Sequence, residues 1–224
     1  MLRSLYRSWF AEVDRLRSSA PGPTIELGSG IGKLRETLPD VVTTDVEATR
    51  WSQRIVDAEA LPFSDESVAN IVLVDVLHHV PHPARFFNEA RRTLMPGGRV
   101  LILEPYCSPV SYPVYRLWHH EKTDLAVDPF AEDPVSSGAP MDSNQALSTL
   151  LFFRQVDRFQ QRWPELRVVS RDRFALLAYP LSGGWSRRTL LPLQLLRPVL
   201  ACERALAPLA PLQAFRCLVV LERD

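Results

Sequence analysis

Apolar and polar positions alternate over the first twenty residues with the spacing of an amphipathic helix. The apolar positions recur three or four residues apart, and arginines and acidic residues fill the positions between them. A stripe with this period covers one face of a helix and packs against a core. We therefore predict an N-terminal amphipathic helix in residues 1–20, with an apolar face made of Leu2, Leu5, Tyr6, Trp9, Val13 and Leu16.

Beyond Pro21-Gly22-Pro23, short apolar runs alternate with helical patterns. Such runs are typical of strands that a parallel sheet buries on both faces. One helix fits residues 83–94, because proline suits its first turn and Met95-Pro96-Gly97-Gly98 ends it. Helices fit between most of the strands, so the pattern predicts an α/β fold with right-handed βαβ crossovers. The strand candidates here are residues 24–27, 41–45, 55–56, 68–75 and 99–104.

After Glu104 the pattern loses its regularity. Residues 105–140 are rich in proline and aromatic side chains and keep no period, which is typical of a lid or binding loop. A helix rich in leucine and phenylalanine is predicted at residues 143–163, which makes residues 105–165 a lid and helix. The C-terminal part, residues 166–224, is predicted to hold strands at residues 166–170, 174–179 and 215–221, with an apolar insert at residues 181–214.

Composition narrows the possible functions. A chain of 224 residues with 46% hydrophobic content suits a single domain, residues 1–224, with residues 21–104 as its cofactor-binding core. Basic and acidic residues number 26 each, so charge gives no reason to expect a nucleic-acid partner. Three widely spaced cysteines, an N-terminus interrupted by acidic residues and the lack of any run of 18 apolar residues favour a cytoplasmic protein.

A glycine-rich loop follows the first predicted strand, in the sequence Glu26-Leu27-Gly28-Ser29-Gly30-Ile31-Gly32. Its glycines let the backbone approach a ligand closely, and a helix after the loop would offer free amide groups. The dinucleotide fingerprint needs its third glycine at position 33, which is lysine here. The loop therefore favours a nucleotide-like cofactor, with an ordinary turn and a nicotinamide-dependent Rossmann oxidoreductase as alternatives.

This loop and the segments VVTTDVE, DAEALPF, HHV and PGG resemble, in this order, the class I S-adenosylmethionine-dependent methyltransferases, in particular their type 11 branch. The resemblance covers residues 24–104. It implies a Rossmann-like, doubly wound seven-stranded sheet of order 3-2-1-4-5-7-6 with the last strand antiparallel. It also implies S-adenosylmethionine as cofactor and S-adenosylhomocysteine as product.

The same resemblance assigns roles to individual residues. Asp45 would accept from the ribose hydroxyls, while Asp57 and the Ala58 amide would contact adenine, although turn aspartates also cap helices. Asn70 and His82 depart from the family pattern, which usually has acidic residues there. The implied cofactor-binding set is Glu26, Gly28, Ser29, Gly30, Gly32, Asp45, Val46, Asp57, Ala58, Asp75 and Val76.

Histidines are candidates for a general base, because imidazole titrates near neutral pH and a hydroxyl acceptor must lose a proton. The candidates are His78, His79, His119 and His120, and we assign the catalytic role to His79, His119 and His120. Solvated or hydrogen-bonded histidines are the alternative. His78, His79 and His82 have no neighbouring cysteine or carboxylate to complete a zinc site, so no metal is predicted.

Together these features predict methyl transfer from S-adenosylmethionine to a small-molecule, aromatic or lipid-like acceptor by in-line displacement. Asp75-Val76-Leu77-His78 stands where methyltransferases of nucleic-acid amino groups carry (D/N)PP(Y/F), which argues against a nucleic-acid substrate. The alternatives are the nicotinamide-dependent oxidoreductase and a non-catalytic, S-adenosylmethionine-binding regulatory or partner protein.

Residues 185–216 combine many leucines with five arginines, Arg187, Arg188, Arg197, Arg204 and Arg216, against the single acid Glu203. Apolar surface with arginines suits an anionic membrane. Our hypothesis is that this segment covers a lipid-like or aromatic acceptor and contacts the inner face of a membrane peripherally. The alternative is that the leucines pack on the sheet while the arginines stay solvated.

Overall fold

The computed structural model describes residues 1–132, 134–135, 142–184 and 189–224. The strands are β1 (Thr24–Leu27), β2 (Val42–Asp45), β3 (Arg54–Ile55), β4 (Val68–Val74), β5 (Leu94–Pro105), β6 (Leu166–Phe174) and β7 (Arg216–Arg223). The α-helices are α1 (Leu2–Leu16), α2 (Pro83–Thr93), α3 (Ser111–Trp118), α4 (Leu147–Thr149), α5 (Val156–Arg162), α6 (Ala178–Leu181), α7 (Leu196–Ala205) and α8 (Ala210–Gln213). A π-helical segment, Leu150–Arg154, connects α4 to α5.

The strands form one sheet in the order β3-β2-β1-β4-β5-β7-β6. β1 to β5 pair in parallel, whereas β7 runs antiparallel to both β5 and β6. The predicted α/β class, strand order and antiparallel last strand are thus confirmed. The chain moves outward from β1 to β3 and returns to β4 on the other side of β1, so the strand order reverses between β1 and β4.

Two apolar layers cover the two faces of the sheet. Val100 and Ile102 of β5 belong to the layer of α2, while Leu101 and Leu103 belong to the layer of α1. Because side chains alternate across a strand, burying both faces requires an apolar residue at nearly every position. This explains the continuous apolar runs that predicted the central strands.

The predicted N-terminal helix is present as α1. It buries Leu5, Tyr6 and Val13 of the predicted face, together with Phe10. These side chains share a layer with residues of β4 and β5, so α1 packs across the sheet.

No α-helix follows the glycine loop before β2, although the prediction of free amide groups at the loop assumed one. A 3-10 turn, Leu34–Glu36, takes its place. Residues 33–41 leave little room for a helix before β2, and Pro39 disfavours helical backbone at the residue before it. Helix α1 covers this face instead, since Leu34 and Leu38 pack in its layer. The expectation of a helix N-terminus at the loop was therefore wrong.

The region after Glu104 differs from the prediction in its helices. Helix α3 lies within residues 105–140, where no periodic element was predicted. The helix predicted at residues 143–163 begins at Leu147, ends at Arg162 and contains the π-helical segment. Leu150 and Leu151 face different layers, so the segment is buried on several sides and carries no simple amphipathic stripe.

Two strands were predicted here, at residues 166–170 and 174–179. The structure has one strand, β6, which ends at Phe174. Ala175 has φ of 63°, in the left-handed region that breaks a strand and costs a non-glycine residue about 1–2 kcal/mol. Helix α6 then begins at Ala178. The strand predicted at residues 174–179 was therefore wrong.

The predicted apolar insert contains α7 and α8. Helix α7 buries none of its side chains. Trp185, Arg187 and Arg188 of the predicted membrane segment lie outside the described residues. In the described part of the chain, no helix combines the length and apolar character needed to cross a bilayer.

Candidate functional site

The glycine loop lies where β1 ends, and the neighbouring strand β2 holds it in place. The Ser29 N–H donates to the Thr44 carbonyl at 2.8 Å, and the Thr44 N–H donates to the Ser29 hydroxyl at 3.0 Å. The Gly30 N–H donates to Oδ2 of Asp45 at 2.9 Å. These bonds fix the loop against the end of β2 and bring Asp45 to it.

Two glycines of the loop differ in their surroundings. A Cβ on Gly28, where φ is 62°, would lie 2.6 Å from a methyl carbon of Val76 just beyond β4. A Cβ on Gly30, where φ is 52°, would meet no atom within 4 Å. Gly28 therefore allows the end of β1 to approach the end of β4, whereas Gly30 borders open space. This is the point where the strand order reverses, at which open α/β sheets bind their ligands.

Glu26 carries a buried carboxyl group directly before the loop. Burial raises its pKa to about 7, although a bond from Ser29 opposes the shift. Its Oε2 has no hydrogen-bond partner among the residues that the structure describes. A buried polar atom without a partner costs about 1–3 kcal/mol, so the site suits a ligand that donates to it. An ammonium group is such a donor.

The other predicted adenosine contacts follow β2 and β3 at the same sheet edge. The Val56 N–H donates to the Asp45 carbonyl at 2.8 Å, which places Asp57 and Ala58 beside the end of β2. The Asp57 carboxylate accepts from the Glu59 N–H at 2.8 Å. Asp45 and Asp57 thus both bind backbone amides, and the structure brings both to the edge that carries the glycine loop. Val46 follows Asp45 and is exposed.

Asp75 is held by two residues from distant parts of the chain. Its φ is 57°, its Oδ2 accepts from the Tyr6 hydroxyl at 2.7 Å, and its Oδ1 pairs with Arg216. Arg216 is 1% exposed, and its guanidinium lies 5.5–5.9 Å from the ring centres of Tyr6, Trp9 and Tyr179. Arg216 is therefore a core residue, so counting it in a basic surface segment was wrong.

Asn70, one of the departures from the family pattern, has a structural role. Its Oδ1 accepts from the Ser18 N–H at 2.7 Å, and its Nδ2 donates to the Ser18 carbonyl at 3.2 Å. These bonds fasten the end of the N-terminal segment to the start of β4. His82, the other departure, pairs with Glu59 through its Nδ1 at 2.9 Å.

His78 meets Glu104 between the ends of β4 and β5, and both side chains are buried. Nδ1 of His78 lies 2.5 Å from Oε2 of Glu104. The other oxygen of Glu104 accepts from the Val76 and Leu77 N–H groups at 2.7 and 2.8 Å. Burial lowers the pKa of His78, but the charge and hydrogen bond of Glu104 outweigh burial and raise it to about 10.

Glu121, which follows α3, lies among four histidines. Its carboxylate oxygens are 3.5 Å from Nε2 of His78 and 3.6 Å from Nε2 of His79. Ring nitrogens of His119 and His120 lie 3.7 Å away. Sequence reasoning missed Glu121, although its position directly after His119-His120 was a usable signal. Glu121 is a carboxylate beside His78 and His79. The expectation that these histidines have no neighbouring carboxylate to complete a metal site was therefore wrong.

Backbone pairing positions Glu121. Lys122 bridges to Asn144, and the Asn144 N–H donates to the His78 carbonyl at 2.9 Å. The side-chain amide of Gln145 also donates to Glu121. The segment after α3 is thus fastened to the histidines through the chain that leads into α4.

The histidines differ in their protonation. Burial lowers the pKa of His79 and of His119, and the charge of His78 lowers the pKa of His79 further. Burial raises the pKa of Glu121, but its bond and charge interaction with His78 outweigh burial and lower it to about 2. The environments of His79 and His119, which both lie beside the ionised carboxylate of Glu121, therefore favour the neutral imidazole.

Residues 25–102 match a family model described as a methyltransferase domain. Phthiotriol/phenolphthiotriol dimycocerosates methyltransferase 1 of Mycobacterium ulcerans is 49% identical over 45 residues, which are 20% of this chain and 17% of that protein. A ubiquinone/menaquinone biosynthesis C-methyltransferase of Bartonella bacilliformis is 42% identical over 66 residues, 28% of this chain and 25% of that protein.

An uncharacterized protein of Methanocaldococcus jannaschii is 26% identical over 114 residues, 43% of this chain and 56% of that protein. The matches thus span about half or less of the length of these curated relatives. Among solved structures, a SAM-dependent methyltransferase from Archaeoglobus fulgidus has a TM-score of 0.60 at 10% identity, over 99% of this chain and 94% of that chain. At this identity the likeness concerns the fold.

Proposed function

We propose that this chain, whose residues 25–102 match a methyltransferase domain model, is a class I S-adenosylmethionine-dependent methyltransferase of the type 11 branch and methylates a small-molecule, aromatic or lipid-like acceptor. The observation that best supports this proposal is the unpartnered carboxylate oxygen of Glu26 next to the open space at Gly30. The nicotinamide-dependent alternative predicts binding of NADH in place of S-adenosylmethionine. The non-catalytic alternative predicts cofactor binding without methyl transfer to any acceptor.

Bound S-adenosylmethionine would supply a sulfonium methyl group, which an acceptor atom takes in line while S-adenosylhomocysteine leaves as the neutral thioether. The glycine loop would hold the methionine part, and its ammonium group would stabilise the ionised form of Glu26. Oδ1 of Asp45 accepts a long bond from the Glu47 N–H at 3.5 Å and keeps a second lone pair for a ribose hydroxyl, while Oδ2 accepts from the Gly30 N–H. The proposed cofactor contacts are Glu26, Gly28, Ser29, Gly30, Gly32, Asp45, Val46, Asp57, Ala58, Asp75 and Val76.

Cofactor binding is tested with two matched glycine variants. Gly30 and Gly97 both have positive φ, and a Cβ at either position meets nothing within 4 Å. Gly30→Ala should therefore weaken S-adenosylmethionine binding at least about tenfold by calorimetry, equivalent to about 1.4 kcal/mol. Gly97→Ala has the same backbone strain away from the loop and should bind as the unchanged protein does. Equal affinity for both variants, or binding of NADH instead, would contradict the proposal.

Proton removal from a hydroxyl acceptor would fall to the histidines around Glu121. As a hydroxyl acceptor is methylated, an imidazole would take the proton that the hydroxyl loses. We assign this role to His79, His119 or His120. His119 is the best placed, because its lowered pKa favours the neutral base and it borders a polar depression with Tyr112 and Arg116.

The base is tested by replacing His79, His119 and His120 singly with alanine, with His82→Ala as the matched control. Turnover would be measured on a panel of phenols and long-chain alcohols. Loss of a general base lowers kcat by about 10²–10⁴-fold. The pH profile of the affected variant should lose its acidic limb. Unchanged turnover in all three variants would show that positioning alone suffices.

The described part of the C-terminal insert, residues 189–214, supports a lipid-like acceptor and a peripheral membrane contact. Leu193 and Leu212 are 58% and 52% exposed, and Leu190, Leu195 and Leu209 are exposed as well. The carboxylate of Glu203 accepts from the Leu177 and Ala178 N–H groups, which places it beside the start of α6. Arg197 and Arg204 are exposed and form no ion pair with a described residue. An apolar surface with uncompensated arginines is complementary to anionic lipid.

Co-sedimentation with vesicles of phosphatidylglycerol and phosphatidylcholine tests the membrane contact. Binding to anionic vesicles should fall in Leu193→Ser and in Arg197→Gln, while the exposed Val169 of β6 provides the control Val169→Ser. Salt should weaken the binding, because the arginines contribute through screened charge. Absence of binding to anionic vesicles would remove the membrane contact and leave cofactor binding unaffected.

A further inference from the structure

The histidines and Glu121 form a cluster with the geometry of a metal site. Nε2 of His78, Nε2 of His79 and a carboxylate oxygen of Glu121 all lie within 4.8 Å of one another. Nε2 of His78 lies 3.5 Å from Oε2 of Glu121, and Nε2 of His79 lies 3.6 Å from Oε1 of the same carboxylate. Two ligand atoms each bound to a tetrahedral zinc ion at about 2.0–2.1 Å lie about 3.4 Å apart. Small side-chain adjustments would therefore bring all three atoms to one ion.

Glu104 orients His78 for this purpose. It binds Nδ1 of His78 at 2.5 Å, and its other oxygen is held by the Val76 and Leu77 N–H groups. An incoming ion would displace the proton on Nε2 of His78, and with the remaining proton on Nδ1 the Nε2 lone pair would bind the ion on the side of Glu121. A carboxylate behind a ligating imidazole is the usual support of a metal-bound histidine.

The charges of the cluster suit a divalent ion. Glu104 and Glu121 are both largely buried, and their ion-pair partners among the described residues are histidines, without lysine or arginine. A divalent cation with neutral imidazoles would balance the two carboxylates. His119 and His120 lie on the far side of Glu121 and border an open depression, where further ligands or water have access.

We propose that His78, His79 and Glu121 bind a divalent transition-metal ion, with zinc as the first candidate, and that Glu104 positions His78. Two histidines and one carboxylate form a common zinc set that leaves a fourth coordination position open. The proposal depends on side-chain placement and not on methyl transfer. With the metal bound, His79 has no free lone pair, so the base of the proposed reaction would be His119 or His120.

The test is zinc and cobalt titration of the chelator-treated full chain without S-adenosylmethionine. All variants would carry Cys202→Ser, because Cys202 is an exposed thiol that binds such metals by itself. The unchanged cluster should bind one equivalent of zinc by elemental analysis, and cobalt should give the visible absorption of a low-symmetry site. His79→Gln and Glu121→Gln should weaken binding at least about tenfold, whereas His82→Gln should bind normally.

Glu104→Gln separates a positioning role from ligation. It should retain one equivalent of metal but with about 10–100-fold lower affinity. Native mass spectrometry of the Cys202→Ser chain tests the site even where a cluster variant fails to fold. A Cys202→Ser chain that takes up neither zinc nor cobalt, or Glu121→Gln with unchanged affinity, would overturn the proposal. In either case His78 serves as a protonated bridge between the two carboxylates.

Discussion

The glycine loop and the histidine cluster occupy the same edge of one sheet, yet they are built in different ways. Gly28, Gly30 and Asp45 come from consecutive strand ends, and backbone hydrogen bonds set their positions. Glu121 reaches His78 through a bridge between distant segments of the chain. Local spacing determines the first arrangement, whereas the second exists only after the chain beyond β5 has folded back. The two regions should therefore respond differently to substitution.

The largest effect is expected at Arg216, whose partner Asp75 stands between β4 and His78 in the chain. Arg216→Ala removes the ion-pair partner of Asp75 and the cation that faces three aromatic rings. Breaking a buried pair by removing one partner costs about 3–5 kcal/mol. We expect this loss in the free energy of unfolding, measured by urea denaturation.

The neighbouring strand offers a matched control. Arg167 of β6 pairs with Glu222 but is half exposed, so Arg167→Ala should cost about 0–1 kcal/mol. The double variant Arg216→Met with Asp75→Asn should recover part of the loss, because it leaves no unpaired charge. Equal losses in Arg216→Ala and Arg167→Ala would mean that burial does not strengthen the pair of Arg216 with Asp75.

The difference between the regions also explains what the sequence could predict. Continuous apolar runs indicated β1 to β5, and glycine spacing indicated the loop, because both depend on neighbours in the chain. The family resemblance supplied the strand order. The contacts of Glu121 and Arg216 could not be predicted, since they depend on where α3 and β7 lie. The absence of an α-helix after the glycine loop could have been predicted, because Pro39 and the short span before β2 are visible in the sequence.

The next largest effect is the change in the free energy of unfolding with pH that Glu26 causes. Its pKa in the folded chain is about 7, above the ordinary value of 4.5, so folding favours the protonated form. Its contribution to stability is therefore complete below about pH 4.5 and is lost as the pH rises to about 7. The loss is on the order of 3 kcal/mol, at about 1.4 kcal/mol per pH unit. Urea denaturation of the cofactor-free chain at several pH values measures it.

Glu26→Gln is neutral throughout this range and should lack that part of the pH dependence. Bound S-adenosylmethionine should also reduce it, because the proposed ammonium contact favours the ionised carboxylate. An identical pH dependence in the variant and the unchanged chain would show that Glu26 does not bind a proton on folding.

A smaller effect is expected at Gly28, where loop and strand end are in contact. Gly28→Ala adds backbone strain at φ of 62° and places a Cβ 2.6 Å from Val76, at a cost of about 1–3 kcal/mol. Gly97→Ala, at φ of 72°, carries the strain without the contact. Thermal unfolding of the two variants separates these contributions. Adding Val76→Ala to Gly28→Ala should relieve the contact, and no recovery would show that strain alone is responsible.

The smallest effect on stability is expected in the insert, which is the opposite extreme to Arg216. Leu193 is 58% exposed and lies before α7, which buries no side chain. Leu193→Ser should therefore change the free energy of unfolding by less than about 0.5 kcal/mol. A substitution that leaves stability intact but reduces binding to anionic vesicles would mean that this leucine serves a surface outside the core. A loss of 2 kcal/mol or more would instead place Leu193 in the packing of the domain.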